Sequence, residues 1–330
     1  MHRGRFRTIA PSLAFAAACS LACSGHPRER LSIGIVRQHA AALVLLAAQE
    51  GFFQDEGLDV ELEEFDTGRD AFGAAMEGRL DLATVYTTPV LLQALRDPSP
   101  RILTMLHQSG QNTVLVARAD RGIRTARDLR GKTIGFPRNT SAEFFLRTLA
   151  EFAGVGWDEL RVVDVSVQDV PEALSAGRVD AVAIWTPVCD RAARALGPGG
   201  AVTLRSDLYT DISVLVSRPE VVASRRAALE SALRALVRAK QLASADPERP
   251  LAALRRAFPE MDPAELRAQL QRIQLRLGAS HSLLQNLRSE AEWFTRAGRL
   301  PAVSVDLRSI VATGPLDAVE PDLVTLEAEP

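Results

Sequence analysis

Lysine is almost missing from this chain: Lys132 and Lys240 are the only two in 330 residues, and arginine carries nearly all of the positive charge. With a formal net charge of −2 there is no basic footprint for nucleic acid. Cysteine is equally scarce. The three are Cys19, Cys23 and Cys189, and once a leader ending before Cys23 is removed only Cys189 stands beside it, so no internal disulfide is available even in an oxidising compartment. The five histidines, His2, His26, His39, His107 and His281, show no ligand spacing, so neither a metal nor a cofactor is expected. The apolar run from Ile9 to Ala18 is too short to span a bilayer.

What remains is globular: 47% hydrophobic and 24% charged residues, in a length that allows two domains with their own cores. The N-terminus has the three parts of an export signal, basic Arg3, Arg5 and Arg7, then the apolar run, then small residues. We read residues 1–22 as signal peptide and 23–30 as linker. Removing the signal takes the formal charge from −2 to −5. Ser20-Leu21-Ala22-Cys23 resembles a lipoprotein cleavage site that would lipidate Cys23, with Ser20 where leucine is usual; Ala16 to Cys19 is a rival site, and cleavage without a lipid is a third reading.

The body is organised around Lys132 to Leu146, a strand running into a helix start, where Thr140-Ser141-Ala142-Glu143 reads as a capping box. A helix beginning where a strand ends offers free N–H groups to a small anion. A second copy exists. Ile33 to Ala41 aligns with Ile134 to Ala142, and Gly78 to Thr87 with Gly177 to Thr186, at offsets of 101 and 99 residues. Two pairs in the same order imply two similar α/β lobes.

Strands are expected at 31–36, 58–62, 80–85, 102–106, 113–117, 132–136, 160–167, 179–185 and 212–216, with helices at 40–49, 70–76, 90–95, 125–130, 141–153 and 171–176. Alternating strands and helices imply largely parallel sheets. Thr113–Ala117 reads as the strand leaving the first lobe and Ile212–Val216 as the return crossing, which makes a hinge. Lobe I would comprise 31–114 and 216–330, lobe II 115–215. From Pro219 onward, Ala, Leu and Arg at helical spacing read as added helices with a solvated arginine-rich face, and the tail beyond Leu300 as extended chain on the surface.

Several stretches together resemble the bacterial solute-binding proteins of sulfonate, taurine and nitrate transporters and the related thiamine-precursor binding proteins. They are Ala47 to Gly57 leading to Leu58-Asp59-Val60, Gly78-Arg79-Leu80-Asp81, Asp128 to Gly135, and Gly177 to Ala181. The resemblance runs from about Leu31 to Gly298. It implies a two-lobe periplasmic binding protein type II fold with two mostly parallel, doubly wound sheets and extra C-terminal helices. It also implies a monomer, exported and lipid-anchored, that holds a small molecule in its cleft and delivers it to the membrane permease of an ABC importer. Carried over by position, the ligand contacts would be Gln38, His39, Tyr86, Thr87, Thr88, Ser109, Gly110, Asn139, Thr140, Ser141, Trp185 and Thr186, in keeping with the rule that ligands sit beyond the carboxyl ends of strands. Arg37 and Arg138 could add charge. The expected ligand is a small oxyanion, sulfonate, taurine or nitrate-like, ahead of a thiamine-precursor pyrimidine. An enzyme or a sensory domain on the same fold are the remaining readings; relatives with pyrimidine-forming chemistry depend on a lysine and a cysteine-rich segment, whereas here Lys132 precedes a strand and Lys240 lies in an outer helix.

Overall fold

The computed structural model describes residues 28–296 and 305–326. The expected signal peptide, Cys19 and Cys23 lie outside the described residues, whereas Glu29 and Arg30 of the expected linker already belong to the first strand. Among the described residues twelve strands, numbered in chain order, form two sheets. The seven-stranded sheet holds β1 (Glu29–Val36), β2 (Leu58–Phe65), β3 (Leu82–Tyr86), β4 (Arg101–Ser109), β10 (Asp211–Ser217), β11 (Gln274–Ser280) and β12 (Val324–Thr325), in the order β12-β11-β4-β10-β3-β1-β2. The five-stranded sheet holds β5 (Thr113–Arg118), β6 (Thr133–Phe136), β7 (Arg161–Asp164), β8 (Ala181–Trp185) and β9 (Ala201–Leu204), in the order β7-β6-β8-β5-β9.

The internal repeat has a physical basis. β1 pairs with β3 in parallel, placing Ile33 opposite Leu82, and β6 pairs with β8 in parallel, placing Ile134 opposite Ala181, which is the register the repeat implies. The two aspartates do the same work: Asp81 Oδ2 accepts from the Ser32 N–H and Asp180 Oδ2 from the Thr133 N–H, both at 2.9 Å. Each pins the first strand of its copy to the entry of the next. The repeated glycines are there for packing. A Cβ on Gly34 would come within 2.8 Å of Leu80 and 3.1 Å of Ala71, and one on Gly135 within 2.9 Å of Val165.

Both sheets are mixed rather than mostly parallel. β10 runs antiparallel to β3 and β4, and β5 runs antiparallel to β8 and β9, because a strand that has just crossed from the other sheet enters against the direction of its neighbours. The chain changes sheets at residues 110–112 and 205–210. These points precede the expected lobe limits of 114 and 215, since Thr113–Arg118 and Asp211–Ser217 are full members of the sheets they enter. The helix Val188–Ala195, β9 and β11 are among the elements that gave no sequence signal.

The C-terminal region is less detached than its composition suggests. The helices Arg226–Ala245 and Glu248–Ala257 cover the buried helix Ala42–Gln49, and their arginines pair with acids of lobe I: Arg234 with Glu56 and Arg238 with Asp55 at 2.7 Å, and Arg249 with Glu50 at 3.2 Å. The solvated face is therefore partly a seam of ion pairs. Beyond the undescribed stretch 297–304, the tail is folded instead of extended, with Leu307, Ile310, Val311 and Leu316 buried and Val311 bridging Ile102.

Candidate functional site

Three helices begin beside one cavity between the sheets. From lobe I come Gly68–Met76 after β2 and Thr87–Ala94 after β3; from lobe II comes Ser141–Phe152 after β6. Gly68 permits the first approach, because a Cβ there would meet Val85 Cα at 3.1 Å and Thr84 O at 3.2 Å. The cavity holds about 410 Å³ of atom-free space, counting its open mouth. Five of the twelve expected contacts line it: Gln38, Tyr86, Thr140, Ser141 and Trp185. It is also lined by Val36, Ala40, Thr67, Arg69, Thr84, Pro89 and Ser213, none of which sequence reasoning picked out.

The helix start at Thr140 differs from the expected capping box. Thr140 Oγ1 donates to Pro137 O at 2.7 Å, and the Glu143 carboxylate accepts from the Asn139 N–H at 2.9 Å, one residue early, because Asn139 adopts the left-handed conformation (φ 58°) and turns its own N–H inward. Among the described residues no side chain caps Ser141–Phe152; the Glu143 N–H returns to Thr140 O at 3.1 Å, whereas the N–H of Ser141, a residue that lines the cavity, stays available. Across the mouth, Arg69 Nη1 donates to Arg138 O at 2.7 Å, tying lobe I to lobe II.

The other seven expected contacts lie elsewhere. Asn139 and Gly110 are exposed on the surface. The Ser109 hydroxyl donates to Arg272 O and accepts from the Gln111 N–H, holding the first crossing. Thr186 Oγ1 accepts from Arg272 Nη1 at 2.6 Å, where Arg272 also pairs with Asp190. Thr87 has one hydroxyl proton and two acceptors, Glu290 Oε1 at 2.6 Å and Asn286 Oδ1 at 3.0 Å, and Asn286 is oriented by its amide donating to Thr210 O. A protonated Glu290 that donates to Thr87, with Thr87 donating onward, satisfies both, and burial pushes the Glu290 carboxyl up to about 7. Thr88 is buried beside it. These positions hold the C-terminal helices rather than facing the cavity. His39 is fully buried against Gln269, 3.2 Å from its Oε1, and burial lowers its pKa to about 4. Arg37 is engaged by Glu64 and Glu260 at the surface, and Arg138 contributes only backbone.

Behind the cavity both crossings meet at one buried carboxylate. Asp211 accepts from Asn112 at 3.0 Å, Thr113 at 2.6 Å and Tyr209 at 2.5 Å, and burial raises its pKa. The Tyr86 hydroxyl, 3.0 Å from both His107 Nε2 and Asn112 Nδ2, joins this network. Tyr86 thus lines the cavity while its hydroxyl is spent on the network at the crossings. Among the described residues no three His, Cys, Asp or Glu side chains group as a metal site, and no helix is long and apolar enough to cross a membrane.

A family model described as NMT1/THI5 like matches residues 38–250. A Brucella abortus (strain 2308) protein described as a binding protein is 25% identical over 252 residues, which is 75% of this chain and 76% of that one. The formylaminopyrimidine-binding protein of Halalkalibacterium halodurans is 28% identical over 137 residues, 42% of this chain and 41% of that one. Among solved structures, the alkanesulfonate-binding protein SsuA from Xanthomonas axonopodis pv. citri, bound to MOPS, is similar with a TM-score of 0.72 at 20% identity, covering 88% of this chain and 100% of that one. The two-sheet architecture is thus that of the two-lobe periplasmic binding proteins, and since the family match spans more than half of its length, the chain belongs to the NMT1/THI5-like family.

Proposed function

We propose that this protein is the extracytoplasmic solute-binding component of an ABC importer, holding a small oxyanion such as a sulfonate, taurine or nitrate in the interlobe cavity and passing it to a membrane permease. The observation that carries the reading is the uncapped start of Ser141–Phe152 at a cavity whose lining, among the described residues, includes Arg69 and no carboxylate. Backbone N–H groups, hydroxyls and one guanidinium are donors, which suit an acceptor-rich group. Tyr86 and Trp185 supply aromatic wall for the rest of the molecule. A chain exported as a monomer and anchored through Cys23 fits this role; mass spectrometry of the mature N-terminus finding an unmodified residue beyond Arg28 would remove the anchor.

Binding without turnover is part of the proposal. Lys132 Nζ donates to Arg121 O at 2.7 Å, Lys240 Nζ to Ser244 Oγ at 2.6 Å on an outer helix, and burial pushes the Cys189 thiol up to about 11, so none of these is a poised nucleophile. The second reading, a thiamine-precursor pyrimidine, draws support from the two aromatics that line the cavity and from the formylaminopyrimidine-binding relative. Thermal shift and calorimetry against sulfonates, taurine, nitrate and aminopyrimidines separate the two. Product exceeding one equivalent per protein would defeat a binding-only role.

A further inference from the structure

Ser213 lies near the amino-terminal end of β10. Because β10 runs antiparallel to β3, that end sits at the same sheet edge as the carboxyl ends of β1 and β3, and the register sets Ser213 between Tyr86 and His107. Its side chain lines the cavity, is 1% exposed, and has an Oγ without a hydrogen-bond partner among the described residues. A buried hydroxyl left unpaired is costly, and native structures rarely keep one without a use. The other lobe I hydroxyls at the cavity are already engaged: Tyr86 with His107 and Asn112, Thr67 with Asp70 at 2.6 Å, and Thr84 with Gly34 O at 3.3 Å.

We propose that Ser213 is a ligand-binding residue whose hydroxyl donates to an oxygen of the bound oxyanion from the lobe I floor, while the Ser141 helix start serves it from lobe II. This deepens the function proposed above and rests on it. The cavity lining offers Arg69 and the Ser141 helix start and, among the described residues, no carboxylate, which suits an acceptor group with the serine as its donor. It also divides recognition between the lobes, so that only the closed form makes both contacts.

The test is calorimetry on the mature protein and on Ser213→Ala and Ser213→Cys, with methanesulfonate, taurine, nitrate and 4-amino-2-methylpyrimidine as probes. Ser213→Ala is expected to weaken binding of the anion that the native protein binds by tenfold or more, the usual worth of a hydrogen bond to a charged group, while the melting temperature of the ligand-free protein stays level or rises because the unpaired hydroxyl is gone. Ser213→Cys, nearly as small but a poor donor, should lose a similar factor, which keeps the test valid if the alanine variant folds badly. Affinities within twofold of native in both variants, or a liganded structure with Ser213 Oγ bonded to His107 Nδ1 instead, would overturn the role of Ser213 while leaving the oxyanion reading standing. A native protein that binds none of the three anions would overturn both.

Discussion

The two copies of the repeat share a frame and differ at the helix that follows it. Glu143 and Arg147 of lobe II align with Ala42 and Leu46 of lobe I. In lobe I the helix Ala42–Gln49 is buried apolar packing. In lobe II the same two positions hold a buried ion pair at 3.2 Å, with Arg147 stacked 3.5 Å from the Trp157 ring centre and 4.5 Å from that of Trp293. Trp293 sits on the C-terminal helix His281–Arg296, and its Nε1 donates to Glu151 at 2.6 Å. One copy is therefore sealed by carbon and the other by charge that reaches a third element. The frame sets where the strands end; what grows from those ends decides whether a position is packed, paired or left at the cavity.

The largest expected effect comes from breaking the charged seal. Arg147→Met should cost about 3–5 kcal/mol in urea unfolding, because it takes the guanidinium away from the buried Glu143 carboxylate. The double change Glu143→Ala with Arg147→Leu imitates lobe I and should recover much of that loss. No recovery would mean that the aromatic stacking, not the ion pair, is what matters.

The pair Thr87 and Thr186 offers a second contrast, since each holds a C-terminal side chain, Thr87 the acid Glu290 and Thr186 the base Arg272. Burial raises the Glu290 carboxyl from its usual 4.5 to about 7, so the folded protein keeps a proton that the unfolded chain has released. Stability should then fall as pH rises from about 4.5 to about 7 and stay level above, by about 3 kcal/mol in all. His39, lowered from 6.5 to about 4, acts in the opposite sense, adding stability as pH rises between those values. The difference between Glu290→Gln and the native protein isolates the first term. It should grow in favour of the variant up to pH 7, and a pH-independent difference would show that Glu290 is ionised throughout.

Smaller effects test the shared frame. Gly34→Ala should destabilise by about 1–3 kcal/mol through overpacking against Leu80 and Ala71, and Gly135→Ala by a similar amount against Val165, as thermal unfolding would show. Smallest is Thr186→Val, which leaves Arg272 paired to Asp190 and should cost about 1 kcal/mol, whereas Thr87→Val removes the partner of Glu290 and should cost more. Equal losses would dissolve the contrast.

Much of the frame was legible because it is written locally. Period-two apolar runs place β2, and Gly-Arg-apolar-Asp marks the entry to β3 and β8 since that aspartate has a fixed backbone partner on the neighbouring strand. The helix start at Thr140 was legible too, though its cap was not, because the left-handed turn at Asn139 shifts the Glu143 carboxylate back by one residue. β11 was missed since Gln274-Leu275-Arg276 has no strong strand signature, and it forms by pairing with β4, more than a hundred and sixty residues earlier.

By itself, then, the sequence determined two α/β copies, their register and the strand ends around which a cleft forms, all consequences of short-range patterning and of backbone groups that must be paired. Only the tertiary structure decided which side chains at those ends face the cavity. Thr87 and Thr186 look like ligand hydroxyls until Glu290 and Arg272 arrive from the far end of the chain to claim them. Ser213 looks like an ordinary strand residue until the antiparallel entry of β10 carries it to the edge that lines the cavity. Contacts between segments so distant leave no mark in local sequence, because any polar residue there could have been satisfied by water.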